Sequence, residues 1–209
     1  GFAATATFEG LEPGTKYEYR LRSRNVELPA LGDQSFRTPP APGQAEDFRL
    51  CYGSCASNWG PDPNQPVWAA VDALRPDVFL FLGDNVYYDR EGQEWAYPEK
   101  MWARYRQGRS LPTIQPLLRH TACYAIWDDH DYGWNDAGRH YPFKKESKEI
   151  FLNFWEEPAD SPRRQHEGIY TSYMFESNGK KLQVILLDNR TFRDDLRLYR
   201  GELSHDEQF

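Results

Sequence analysis

Four short clusters in this chain carry side chains that do chemistry: Gly53-Ser54-Cys55, Gly83-Asp84-Asn85, Asp128-Asp129-His130-Asp131 and Asp188-Asn189-Arg190. Together they offer a thiol, several carboxylates, an imidazole and a guanidinium. Carboxylates that meet at close range cannot all stay ionised, because like charges a few ångströms apart push each other's pKa up. A bound metal ion, or two, relieves that repulsion. Asp84 and Asp129, with Cys55 and a tyrosinate, would form an acidic, partly soft ligand set for a divalent or trivalent transition metal, beside a harder oxygen-ligated ion. Two metals about 3.5–4 Å apart can bridge a hydroxide nucleophile and clamp a phosphoryl group during in-line attack. His130 would then protonate the leaving oxygen, with Asp131 orienting it. Arg190 or Arg193 would take the non-bridging phosphate oxygens, a task that guanidinium geometry fits.

Each cluster ends an apolar run: "FRLCYGSC", "DVFLFLGD", "ACYAIWDDHD" and "LQVILLDNR". Runs of this kind read as strands buried in a sheet, and ligands of open α/β sheets bind outside the carboxyl ends of the strands. If the four strands share one sheet, the four clusters converge on one edge. Between the runs, Val67, Trp68, Val71 and Leu74 repeat at helical spacing, with Pro76 as a stop. The stretch from Tyr97 to Thr121 reads as two short helices separated at Gly108 and Pro112. Phe143 to Glu157 reads as an amphipathic helix, and Asn178-Gly179 marks a hairpin whose second arm becomes the fourth apolar strand. Strands and helices alternate from residue 48 onward, which predicts a layered α/β domain with sheets flanked by helices.

The first 38 residues differ in texture. Thr5, Thr7 and Phe8 precede a turn at Glu12-Pro13-Gly14, after which Tyr17, Tyr19 and Leu21 alternate with charged residues, the period of a half-buried strand. The Leu11-to-Tyr17 string resembles the tyrosine corner of fibronectin type III and immunoglobulin-like sandwiches, so residues 1–38 are read as part of such a sandwich, with Tyr17 as a structural hydrogen-bonder. The Pro/Gly-rich residues 39–47 read as a linker and residues 48–209 as the layered domain, its C-terminal part missing.

Composition narrows the class without fixing it. Apolar residues make up 39% and charged residues 27% of the chain, as in ordinary soluble globular proteins. No stretch approaches the roughly 20 apolar residues that span a bilayer. The net charge of -7 argues against a nucleic-acid backbone as the main partner. Three cysteines are an odd count, so at least one thiol is free, ligated or paired between chains.

The bland readings are equally explicit. Gly-Asp-Asn is good turn chemistry, and Asp84 could cap a helix. Asn85, Tyr88 and Asp89 read as scaffold or loop, with Asn85 also a candidate substrate contact. Asp128 reads as an acceptor behind the ligands. Asn135 and Asp136 lie in a Gly-flanked loop, where turn chemistry and ion binding explain them equally. His120, His140 and His166 read as surface or packing residues. Trp59, Trp95, Trp102 and Trp134 could shape a cleft or pack in the core.

The motifs resemble a known family. Gly83-Asp84-Asn85-Val86-Tyr87 fits the GDxxY signature of metallophosphoesterases of the purple-acid-phosphatase type, and Asp129-His130-Asp131 falls where their Asn-His-acid motif stands. "WDDHDYGWNDAG", "LLDNRTFR", the "GSC" turn and the preceding sandwich-like segment with its Pro-rich exit resemble the PhoD-like alkaline phosphatases and phosphodiesterases. The resemblance implies that Cys55 and the tyrosinate Tyr87 ligate an iron(III). It implies that Asp84 bridges the metals, that Asp129 ligates a second ion such as calcium, and that His130 is the catalytic imidazole. Arg190 is the implied phosphate contact. It further implies an exported enzyme acting on small phosphate esters, with nucleic acid only as a possible substrate; a monomer is expected. The late Gly-x-His or Gly-His-x-His segment of two-metal phosphoesterases is absent, and His205 does not match it. The competing expectation is therefore a catalytically degenerate calcium- or carbohydrate-binding module on the same core.

Overall fold

The computed structural model describes residues 5–24, 26–29, 32–41, 43–44, 47–57, 64–88, 94–177 and 179–194. Residues 5–37 form two small antiparallel pairings: β1 (Lys16–Glu18) with β4 (Ser35–Arg37), and β2 (Arg22–Ser23) with β3 (Val26–Glu27). Thr5, Thr7 and Phe8, expected in a strand, belong to none. The Tyr17 hydroxyl accepts a hydrogen bond from the Glu12 amide at 2.8 Å across the Pro13-Gly14 turn, where Gly14 has φ +61°. That bond ties the turn to β1, so Tyr17 serves local structure. The segment is fastened to the main body by Arg75 to Asp33 at 2.7 Å and by the Tyr19 hydroxyl to the Arg119 carbonyl at 3.3 Å.

The main body is built on a three-stranded parallel sheet in the order β5 (Leu50–Gly53), β6 (Val78–Leu82), β7 (Ala122–Ile126). Parallel neighbours need long crossovers. The first contains α1 (Val67–Ala73); the second contains a short 3-10 turn (Glu94–Ala96), α2 (Pro98–Arg109) and α3 (Gln115–His120). The helix α2 runs through Gly108, which was expected to separate two helices. A glycine costs a helix roughly 1 kcal/mol against alanine; Gly108 falls in the last turn of α2, and a Cβ there would meet Val86 and the Asn85 carbonyl at ordinary contact distances of 3.7 and 3.9 Å. The turn that carries Asp84 thus lies against the last turn of α2.

After β7 come α4 (Asp129–Tyr132), α5 (Lys144–Phe154), α6 (Pro162–Gln165) and the antiparallel hairpin of β8 (Thr171–Ser177) and β9 (Lys180–Leu186), with Gly179 at φ +72°. The expectation of four strands in one sheet is corrected here: among the described residues β9 pairs only with β8, not with the parallel sheet. The hairpin instead packs on the sheet face, with Tyr173 against Tyr124 at a ring separation of 4.2 Å. The opposite face, carrying Phe79, Phe81 and Ala125, buries Trp68, Tyr105, Ile150 and Phe151 in one core. Edge-to-face aromatic pairs recur through it, such as Phe79–Phe81 at 4.6 Å and Trp127–Phe151 at 5.5 Å. The rich aromatic content is thus spent mainly on packing.

Arg163 on α6 shows how tightly the layers are tied. It is 3% exposed and donates to the Ala125 carbonyl at 2.7 Å and the Ile169 carbonyl at 2.6 Å, with Glu157 at 3.3 Å as counter-charge. A buried charge is tolerated when paired and hydrogen-bonded in this way. It fixes the end of β7 directly before the Asp128–Asp131 cluster.

Candidate metal centre

The carboxyl end of β6 turns sharply. Gly83 has φ +101°, and a Cβ there would lie 2.6 Å from Asp128 Cβ and 2.9 Å from the Asp128 amide nitrogen. Only glycine lets the β6 and β7 ends approach this closely. Asp84 and Cys55 both have left-handed backbones, φ +51° and +58°, an uncommon state for residues with a Cβ that occurs where surrounding structure enforces it. The two turns hold each other, since the Cys55 and Ala56 amides donate to the Gly83 and Asp84 carbonyls at 3.2 and 2.9 Å.

This geometry collects donors around Asp84. Its Oδ2 lies 3.5 Å from the Cys55 sulfur and accepts from the Tyr87 hydroxyl at 3.3 Å; its Oδ1 accepts from the His130 amide at 3.3 Å. One ligand atom each of Asp84, Asp129 and His130 lie within 4.8 Å of one another. Burial, then the charges of Asp129 and Asp128, push the Asp84 carboxyl up, with His130 acting against them. Burial, followed by the Asp84 charge and Cys55, pushes the Tyr87 phenol far above its ordinary value. A carboxyl and a phenol that resist ionisation side by side, as Asp84 and Tyr87 do, make a charge pattern that a bound cation corrects. The donor set therefore fits a metal: the Cys55 sulfur and Tyr87 hydroxyl lie beside Asp84 Oδ2, and donor atoms of Asp84, Asp129 and His130 lie within reach of one ion. The His130 ring lies against that of Tyr87, tilted at a centroid separation of 4.3 Å, and so borders the same donor set.

Asp128 caps α4 in a reciprocal box with Asp131, the arrangement that satisfies free amides at a helix start. It also accepts from Asn189 at 3.0 Å and from Arg190 Nε. Burial raises the Asp129 carboxyl, but the Asp136 amide at 2.7 Å and the Arg190 charge outweigh it and hold the group below its ordinary value. Arg190 is 8% exposed and lies 3.6 Å from Asp129. Its Nη1 is buried and makes no hydrogen bond among the described residues. Arg193 lies 3.4 Å from Asp136.

Two of the candidate residues are held by the scaffold. Asp131, expected to orient His130, is fully buried, and its oxygens accept from the Asp84, Asn85 and Asp128 amides at 3.2, 3.1 and 2.7 Å and from Asn85 Nδ2 at 2.6 Å. It is the tie between the two ligand-bearing turns. Asn85, a candidate substrate contact, is 5% exposed, and its Nδ2 also donates to the Ile126 carbonyl at 2.9 Å. Its amide is committed to the scaffold.

Asp188 was placed in a strand-end cluster without a role, and the structure supplies one. It accepts from Trp127 Nε1 at 2.9 Å, from the Ile169, Arg190 and Thr191 amides at 2.8, 3.0 and 2.9 Å, and from the Thr191 hydroxyl at 2.7 Å. Burial raises its pKa, but these hydrogen bonds win and hold the carboxyl below its ordinary value. A depressed carboxyl contributes stability that is present above the unfolded pKa and lost as pH falls through the folded one. Asp188→Asn is therefore expected to lower the melting temperature near neutral pH and to flatten its fall on acidification below the usual carboxylate range. An unchanged acid limb in thermal scans would refute this. The sequence signal was available in Asp188-Asn189-Arg190-Thr191, an acid followed by donors at turn spacing.

Trp59, Asp89 and His205 lie outside the described residues. His120 packs as expected, with Nε2 at 2.6 Å from Asp72; His140 is exposed. Trp95 and Trp134 meet edge to face at 4.9 Å and pack with Tyr141.

Comparison with known proteins gives the context. No curated protein matches the sequence. The structure is similar to a solved structure of PhoD, with a TM-score of 0.64 at 19% identity over 89% of this chain. It is also similar to the purple acid phosphatase PPD1 from yellow lupin (Lupinus luteus) seeds, with a TM-score of 0.50 at 17% identity over 78% of this chain. The chain spans 39% of the length of the first and 29% of the second. These likenesses support the layered α/β fold. A family model, PhoD-like phosphatase, matches residues 50–208, and the chain belongs to the PhoD-like phosphatase family.

Proposed function

We propose that this chain carries the metal-ligand core of a phosphoric ester hydrolase, acting on small phosphate esters at a two-metal site of iron(III) and calcium or another divalent ion. The observation that carries the reading is the meeting of Asp84, Asp129 and His130 donor atoms within 4.8 Å at the carboxyl end of the parallel sheet. Cys55, Tyr87 and Asp84 would hold the iron, a soft thiolate and a phenolate suiting the more highly charged transition metal. Asp84 and Asp129 would hold the second, harder ion. The ions would supply Lewis acidity, polarising the phosphoryl group and lowering the pKa of water.

The chain's own side chains do the rest. Arg190 would bind a non-bridging phosphate oxygen through Nη1, which makes no hydrogen bond among the described residues, and Arg193 a second; guanidinium forks match phosphate geometry. His130, on the first turn of α4, would hold the proton that the leaving oxygen takes. Asp128 and Asp131 keep α4 capped, so the imidazole and the Asp129 carboxylate stay in fixed register. Among the described residues no helix is long and apolar enough to cross a membrane; export and a monomeric state are part of the proposal.

Metal analysis and nitrophenyl phosphate hydrolysis test the reading on the protein containing this chain. The expected result is bound iron and nitrophenol release, both lost in Cys55→Ala and abolished by chelation. A metal-free, inactive wild-type protein would sink it and favour a non-catalytic binding module on the same core.

A further inference from the structure

Asp136 stands outside the ligand set, yet three parts of the site meet on it. Its amide donates to Asp129 Oδ2 at 2.7 Å. Its Oδ1 lies 3.4 Å from both terminal nitrogens of Arg193 and 3.9 Å from Arg190 Nη1. Its backbone is left-handed, φ +60°, which turns the chain so that amide and carboxylate serve different partners.

The loop around it is fixed to the arginine segment. The Arg139 amide donates to the Arg193 carbonyl at 2.8 Å, Arg139 Nη2 donates to the Phe192 carbonyl at 2.7 Å, and Arg139 pairs with Asp194 at 3.0 Å. A Cβ at Gly138 would sit 2.5 Å from the Arg193 carbonyl oxygen, so this approach requires glycine. Residues 134–139 and 188–194 thus form one unit, with Asp136 between the two guanidiniums. Arg193 has a long, partly exposed side chain, whose rotamer freedom would otherwise be lost only on binding a ligand.

We infer that Asp136 is a positioning residue, which holds Arg193 and Arg190 in the geometry that receives the phosphate oxygens. The inference rests on the phosphoester reading of the site. Asp136 does not touch the substrate; its carboxylate orients the arginine forks in advance, and its amide braces Asp129 independently of the side chain.

Calorimetric binding of inorganic phosphate to the metal-loaded protein tests this with a double-mutant cycle of Asp136→Asn and Arg193→Gln. Each single variant is expected to weaken phosphate binding about tenfold, and the double variant little more than either, because both remove the same preorganised fork. Asp136→Gly is the second variant: glycine accepts φ +60° and keeps the amide to Asp129, so it should lose affinity like Asp136→Asn with metal content unchanged. Additive losses in the cycle, or phosphate affinity untouched by both Asp136 variants, would overturn the positioning role. If the wild-type protein neither binds phosphate nor hydrolyses nitrophenyl phosphate, the phosphoester reading itself has failed. Hydrolysis with an additive cycle removes the inference alone.

Discussion

Asp84→Asn is expected to abolish metal binding and phosphoester hydrolysis while leaving the metal-free protein as stable as the wild type, or more so. The two effects have one electrostatic cause. Asp84 lies beside the Cys55 thiol, the Tyr87 phenol, His130 and Asp129, so every ligand grouping in the site includes it. Losing its charge removes the shared member of the set, and hydrolysis should fall by at least about a thousandfold, as when a transition state loses its main electrostatic stabilisation. In the metal-free protein the same carboxylate is a liability, because burial and the Asp129 and Asp128 charges all oppose its ionisation. Neutral asparagine relieves that repulsion. Metal present at a thousand times its dissociation constant should stabilise the wild type by about 4 kcal/mol. For a chain of this size that corresponds to roughly 8–16 °C in melting temperature. Scans with and without chelator should therefore show a large metal-dependent shift in the wild type and none in Asp84→Asn. A variant that keeps the shift, or an unloaded variant that melts well below the unloaded wild type, would show that Asp84 is a structural cap instead.

The residues differ in how much of this the sequence revealed. Asp84, Asp129 and His130 were legible because each follows an apolar run, and a strand that ends in an acid places it at a known edge of a sheet. Gly83 was legible as a bend, but not as the contact point with Asp128, since that close approach depends on two strands lying side by side. The fourth run misled for the same reason. Its apolar character is what a central strand and a hairpin on the sheet face have in common, and only pairing separates them. Asp131 shows another limit. Adjacent to a histidine it reads as an orienting acid, yet as the third residue of α4 it points back toward the helix start and the neighbouring turn. Gly108 was read as a break because glycine disfavours helix, whereas it sits in the last turn of α2, one residue before the helix ends at Arg109. Local chemistry was readable; contacts between segments far apart in the chain were not.

Asp131→Ala should be the most destabilising single change in the site, although Asp131 touches no substrate. The carboxylate takes four hydrogen bonds, from three backbone amides and the Asn85 side chain. Alanine strands all of these donors in a region with no solvent access, for Asp131 is 0% exposed. Each buried donor left unpaired costs about 1–3 kcal/mol. Relaxation makes such costs less than additive, so the total is expected on the order of 3–5 kcal/mol, or roughly 6–20 °C in melting temperature. The damage should spread to the metal centre in a particular way. The Asp84 and Asn85 amides belong to the β6 turn and the Asp128 amide to the start of α4, so the Asp131 carboxylate sets the distance between Asp84 and the Asp129–His130 pair. Metal affinity should fall with stability even though every ligand remains. Asp131→Asn separates the two readings of the residue. It keeps one acceptor oxygen but turns an amide N–H2 toward donors, so it should recover part of the stability and part of the metal affinity together. If Asp131 acted only on the imidazole, both variants would retain the wild-type melting temperature and metal content and lose only the rate of hydrolysis.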